Sequence, residues 1–259
     1  MRAFLRDNYL KLMGSIKKPQ PGIHIINSHY VTPSVVDYKR DAEIFERYLR
    51  FLRSIGDFIT LEEATRRIFA KDFPNDKVLI SFTFDDGFEE CYGIIAPLLE
   101  KFNTKGTFFI NANYIDSYDR YQEQFHQRVN TYTKNPMTWE QVENLHERGH
   151  LIGSHNFDHV DFSELSSNDV EFQLRENKKI LEQKLDYQCE YFAWTYGQLR
   201  HFPENALKIT KKYHKYIFSG TNYKFYSSLD GEVINRRHIE SFFPKSYIRY
   251  FLSHKKKIK

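Results

Sequence analysis

The chain has 259 residues, 41% hydrophobic and 17% aromatic, which is enough apolar material for a sizeable core and excludes a chain disordered throughout. Its formal charge of +4 comes from 38 basic against 34 acidic side chains, too even a balance to recommend nucleic acid as a partner. No stretch approaches the ~18 uninterrupted apolar residues of a membrane-spanning helix. The two cysteines, Cys91 and Cys189, stand in no metal-binding spacing and are expected as free thiols with no disulfide.

In chain order, residues 1–18 are interrupted by Arg2, Arg6, Asp7 and Lys11. They lack the apolar core of a signal peptide and read as an amphipathic basic helix, packed on the protein or resting on a membrane or partner. Apolar, β-rich runs follow near residues 22–31, 77–84, 106–113, 150–155, 190–195, 215–220 and 232–239. Helical patterns at 41–55, 61–70, 88–102, 138–148, 167–185, 203–213 and 244–254 separate them, with Ser167 placed as the N-cap of its helix. A parallel crossover needs a helix-length connection, so this alternation predicts a parallel sheet, closed as a single-domain, distorted (β/α)7 barrel. The division is a helical extension over 1–21, the barrel over 22–243, and a C-terminal helix with a basic tail over 244–259. The polar, tyrosine-rich segment 116–137 breaks the rhythm and reads as a long loop forming a rim or lid. The tail residues Lys255, Lys256, Lys257 and Lys259 read as a solvated terminus or as weak attraction to an anionic membrane surface.

In a barrel, catalytic groups gather where strands end and loops begin. Two motifs fall there. In Ser81-Phe82-Thr83-Phe84-Asp85-Asp86-Gly87 an apolar strand ends in two carboxylates, with Gly87 allowing a tight turn. One carboxylate can bind a cation while the other stays free to take a proton; the plain alternative is an Asp-Asp-Gly turn. In Gly153-Ser154-His155-Asn156-Phe157-Asp158-His159 two histidines stand four apart, a frequent metal spacing that is also found in polar surface loops. Taken together, Asp86, His155 and His159 would make a two-histidine, one-carboxylate set with open positions for water and substrate.

These stretches resemble the polysaccharide deacetylases of carbohydrate esterase family four, and the first strand, Ile25-Ile26-Asn27-Ser28-His29-Tyr30-Val31, is similar to that of the branch acting on poly-N-acetylglucosamine. The resemblance runs from about residue 22 to 240. It implies Asp85 as general base, Asp86, His155 and His159 as ligands of one divalent ion (zinc, with cobalt or nickel as alternatives), and His29 as general acid. Phe192-Ala193-Trp194-Thr195-Tyr196-Gly197 is similar to the family's third motif, which implies that Tyr196 lines the groove and offers its backbone N–H to an oxyanion. Trp194 is a candidate for stacking a sugar there, whereas Trp139 reads as the first turn of a packed helix. Asn235-Arg236-Arg237-His238-Ile239 resembles an element whose arginine supports the base, leaving Arg236 or Arg237 for that role and His238 as the alternative acid. Asn156 and Thr195 depart from the family's usual residues, and Thr195, in place of a proline, is expected to loosen its loop. The implied reaction removes N-acetyl groups from an amino-sugar polysaccharide, oligosaccharide or glycolipid. The same site could serve an O-acetyl esterase, a deformylase of lipid-linked sugars, or a non-catalytic carbohydrate-binding relative. The expected location is cytoplasmic, at or near the inner membrane face.

Overall fold

The computed structural model describes residues 2–118 and 120–258. Met1, Asp119 of the insertion and Lys259 of the basic tail lie outside the described residues. Each of the seven expected runs contains a strand: β1 (Gly22–Ser28), β3 (Val78–Phe84), β4 (Thr107–Ile110), β5 (Leu151–Ser154), β6 (Tyr191–Ala193), β7 (Tyr216–Ser219), and the last run split into β9 (Val233–Asn235) and β10 (Arg237–His238). Two further two-residue strands, β2 (Asp57–Phe58) and β8 (Ser227–Ser228), are too short for a periodicity reading to find.

The order is β10-β1-β3-β4-β5-β6-β7-β9-β8, parallel except for β8 on β9. β9 pairs with β7 and β10 pairs with β1, and only Arg236 separates β9 from β10. The last strand therefore joins the two ends of the sheet, and the (β/α)7 barrel closes at that residue.

Strand side chains alternate between two environments. Ile23, Ile25, Phe109, Ala193, Phe218 and Ile234, from five different strands, meet in one buried cluster, the barrel interior, joined from below by Leu61, Ala64 and Ile68. Their neighbours in sequence, Ile26, Phe108, Phe192, Ile217 and Val233, pack outward against helices. Both faces are apolar, as expected of a parallel sheet covered by helices.

The helices follow their local chemistry. α1 (Arg2–Ile16) packs on α9 (Lys245–Leu252), and a Cβ at Gly14 would lie 1.8 Å from the Ser246 carbonyl oxygen. α2 (Tyr38–Arg53) is capped by Asp37, α3 (Leu61–Phe69) by Thr60, and α6 (Trp139–Glu147) by a capping box of Thr138 and Gln141. Trp139 opens α6 and packs against the core. The 88–102 stretch is not one α-helix: a π-turn over Cys91–Ile95 precedes α4 (Ala96–Lys101). The cap of α7 (Ser167–Leu185) is Ser166, one residue before the expected Ser167. α8 (Glu204–Tyr213) completes the outer layer. The 116–137 segment is more than a loop, since it contains α5 (Arg120–Val129) with Phe125 and His126 buried. The tail is not simply solvated either: Lys257 pairs with Phe225, and its carbonyl accepts from Tyr226 N at 3.0 Å. Cys91 and Cys189 are both free and buried.

Candidate active site

The candidate residues stand just beyond the C-terminal ends of the strands: His29 after β1, Asp85 and Asp86 after β3, His155 after β5, Tyr196 after β6, and Glu240 after β10. They line a cleft of about 430 Å³. The turns that carry them are strained. Asp86, Asn156, His159 and Tyr196 all have φ between +51° and +81°, a region costly for residues with a Cβ. Gly197, at φ +65°, lies against Gly220; a Cβ there would sit 2.8 Å from the Gly220 Cα.

Asp86, His155 and His159 converge in the buried floor of the cleft. Asp86 Oδ1 is 3.2 Å from His159 Nε2 and 3.5 Å from His155 Nε2. Two ligand atoms around a tetrahedral zinc lie about 3.3 Å apart, given metal–ligand bonds near 2.0–2.1 Å. Asp86 Oδ1 is buried yet accepts no hydrogen bond of good geometry. His155 Nδ1 is 2.6 Å from the Ala193 carbonyl, which assigns the proton to that nitrogen and leaves the Nε2 lone pair facing the cleft. Burial lowers the pKa of His159, and the Asp86 carboxylate offsets only part of that. Burial opposes the charge on Asp86, but the imidazoles of His159 and His155 outweigh it and hold the carboxyl far below its ordinary range. These three groups fit a borderline divalent cation.

Asp85 is held differently. Arg236 grips it with two parallel bonds, Nη1 to Oδ1 at 2.7 Å and Nη2 to Oδ2 at 2.8 Å. Asn27 Nδ2 also donates to Oδ2, at 3.0 Å. Arg236 is itself fixed by Thr83 Oγ1 at 3.0 Å and the Ser219 carbonyl at 3.1 Å. Burial raises the pKa of Asp85, but Arg236, then His155 and His29, bring it below the ordinary carboxylate value. Arg237 points the other way, its guanidinium stacked between Tyr223 and Phe251 at 3.7 and 3.8 Å. Of the two arginines the sequence offered, Arg236 is therefore the one that meets the base candidate.

His29 Nδ1 lies 2.7 Å from Glu240 Oε1, and His238 Nε2 lies 2.8 Å from the same oxygen. Burial would lower the pKa of His29, but the Glu240 carboxylate more than offsets it, and the value is raised to about 9.

Trp194 does not belong to the groove. It is 1% exposed, stacked on Phe202 at 4.2 Å, and donates Nε1–H to the Gln198 carbonyl. It has the outward parity of Phe192 and packs beneath α7 and α8. Tyr196 does line the cleft, its ring edge-on to His159 at 4.9 Å. Thr195 tightens its loop where loosening was expected: its hydroxyl donates to the Val160 carbonyl at 2.6 Å and accepts from Asn156 Nδ2 at 3.0 Å.

Other residues that shape the site escaped the sequence reading. Gln173 Oε1 accepts from the backbone of Phe157 and Asp158, fixing the turn between the two histidines. Asn177, one turn along α7, donates to Ser154 Oγ and the Ile110 carbonyl and accepts from Ala112 N. Both sit on the apolar face of α7 with Val170, Leu174 and Leu181. Polar residues in a buried stripe need partners, and that was the available clue. Glu240 was missed as well. The insertion forms one wall of the cleft through Arg128, Val129 and Thr131; Arg128 donates to the Asp158 carbonyl, and Lys134 forms a buried ion pair with Glu90.

Fold and site together define a closed α/β barrel whose strand ends converge on a buried carboxylate–histidine cluster. The polysaccharide deacetylase family matches residues 73–216, more than half of the chain, and the chain belongs to that family. It is similar to the chitin deacetylase of Arthroderma benhamiae, 26% identical over 146 residues covering 52% of this chain and 35% of that protein. It is also similar to the peptidoglycan-N-acetylglucosamine deacetylase of Bacillus cereus, 22% identical over 59% of this chain and 48% of that protein. The chain thus spans half or less of the length of these curated relatives. Among solved structures, IcaB from Ammonifex degensii has the same fold, with a TM-score of 0.71 at 20% identity over 92% of this chain and 98% of that one. So does the deacetylase PplD of Streptococcus pyogenes, with a TM-score of 0.67 at 17% identity over 88% and 97%.

Proposed function

We propose that this chain hydrolyses N-acetyl groups of an amino-sugar polysaccharide, oligosaccharide or glycolipid, using one divalent cation, zinc first among the candidates, held by Asp86, His155 and His159. The observation that carries this reading is the spacing of those three buried ligand atoms beside a second carboxylate, Asp85, which Arg236 keeps ionised. A cation bound there supplies Lewis acidity, lowering the pKa of water and polarising the acetyl carbonyl.

Asp85 takes the proton of the attacking water. Its Oδ2 already accepts two hydrogen bonds and its Oδ1 only one, so Oδ1 keeps the free lone pair for that proton. The Tyr196 amide donates to no group among the described residues and is left to bind the developing oxyanion. Amine departure requires a proton. His29, whose Nδ1 is held by Glu240, delivers that proton from Nε2. Tyr196 and the wall around Arg128 shape the groove for the sugar.

We place the protein in the cytoplasm, in peripheral contact with the inner membrane face. Leu5, Leu12 and Ile16 form an i, i+7, i+11 stripe on α1, each more than 60% exposed, while Tyr9 between them packs edge-on against Tyr250 of α9. Arg6 and Lys11 flank it, as suits an amphipathic helix on anionic lipid. Among the described residues no helix is long and apolar enough to cross a membrane.

The test of the activity is acetate release from a panel of N- and O-acetylated oligosaccharides by chelator-stripped and metal-restored protein. Release from N-acetylated substrates that returns with the cation supports the reading; His155→Ala should lose metal and turnover together. Release from O-acetylated substrates alone would make the protein an esterase, and release unaffected by stripping would overturn the cation's role.

A further inference from the structure

The cleft contains a second cluster with ligand chemistry. One ligand atom from each of His29, His238 and Glu240 lies within 4.8 Å of the other two. His29 Nδ1 and His238 Nε2 are aimed at a single atom, Glu240 Oε1, at 2.7 and 2.8 Å. The Glu240 side chain is 3% exposed, while those of His29 and His238 are 30% and 48% exposed. One buried anionic oxygen is therefore flanked by two imidazoles reachable from the cleft.

From this geometry we infer a second cation site, formed by His29, His238 and Glu240, that takes a zinc-class transition ion more weakly than the Asp86 cluster does. Two imidazoles and a carboxylate suit zinc, cobalt or nickel and are a poor match for calcium or magnesium, which prefer oxygen. The lower affinity has a structural cause. The ligand atoms here are already engaged in N–H···O bonds and lie about half an ångström closer than the ~3.3 Å spacing around a tetrahedral zinc. A cation must displace those ring protons to solvent and spread the rings, which the half-exposed His238 can do by moving outward. In the Asp86 cluster the corresponding atoms are already at 3.2 and 3.5 Å with no such bonds to break.

The consequence rests on the reading of His29 as proton donor. A cation on Nδ1 holds the imidazole as a ligand and removes the acid form, so the second site inhibits. Zinc at low concentration then fills the Asp86 cluster and supports turnover, while excess zinc fills the second site and stops it.

The experiment uses chelator-stripped full-length protein, zinc alone as the probe, and equilibrium dialysis with elemental analysis up to about a hundredfold above the first midpoint. Wild type is expected to bind two zinc ions per chain, and His238→Ala and His238→Gln one each. Asp86→Ala is expected to retain one, at the weaker midpoint. In the acetate assay, excess zinc should lower wild-type release at least tenfold and leave the residual rate of His238→Gln unaltered. One zinc per chain in wild type, or two in both His238 variants, overturns the site. Binding does not depend on catalysis: two zinc ions without acetate release would sink the proposed activity and leave this site standing, and one zinc with release would do the reverse.

Discussion

Replacing Arg236 by methionine tests the architecture of the site at the buried ion pair that holds Asp85. Arg236 is fully buried and makes four hydrogen bonds, two of them to Asp85. Methionine fills much of the volume but leaves Asp85 with only the bond from Asn27. Stranding one member of a buried pair costs about 3–5 kcal/mol. For a chain of this size that is a fall in Tm of about 6–20 °C, at about 2–4 °C per kcal/mol. The pH dependence gives a sharper signature. In the wild type the pKa of Asp85 is depressed, so its contribution is present above the unfolded value of ~3.9 and is lost only as pH falls through the lower folded value. In the variant, burial is no longer offset by Arg236 and the pKa rises above the ordinary value. The deficit is then greatest near neutral pH and narrows as pH is lowered toward about 4. Thermal unfolding of wild type, Arg236→Met and Arg237→Met across that range measures it. Arg237→Met, which removes only stacking on Tyr223 and Phe251, should cost about 0.5–2 kcal/mol with no such pH trend. A variant within 1 kcal/mol of wild type, or a gap that does not change with pH, would refute this account of how Asp85 is held ionised.

Three further outcomes are expected. With His29 raised to about 9, N-acetyl hydrolysis should fall as pH rises through about 9; His29→Gln should abolish that limb and lower the N-acetyl rate by about 10²–10⁴, with a smaller effect on O-acetyl substrates, in a pH–rate assay. Trp194→Ala should cost about 3–5 kcal/mol in denaturant unfolding while the protein that remains folded keeps its KM, whereas Tyr196→Ala should raise KM with little loss of stability. Leu12→Glu should reduce sedimentation with phosphatidylserine vesicles without altering Tm, since Leu12 is 61% exposed; equal sedimentation of wild type with neutral vesicles would remove the electrostatic part of the membrane proposal.

Strand–helix alternation was legible in the sequence because it depends on local periodicity, and so was the position of the Asp85-Asp86-Gly87 and His155–His159 motifs at strand ends. Their chemistry was readable from residue type: adjacent carboxylates and a histidine pair leave few roles once a barrel brings strand ends together. What the chain order could not reveal was which way alternate residues point. Barrel strands are apolar on both faces, so Val233-Ile234 and Phe192-Ala193 carry no mark of inside and outside. Only closure of the sheet decided that Ile234 and Arg236 face inward and Arg237 outward, and that Trp194 is core rather than groove. The partnership of His29 with Glu240, 211 residues apart in sequence, likewise exists only because β10 closes onto β1. Periodicity along a chain is a one-dimensional property and survives unfolding; the direction a side chain takes relative to a distant strand is set by register and closure, and arises only when the barrel forms.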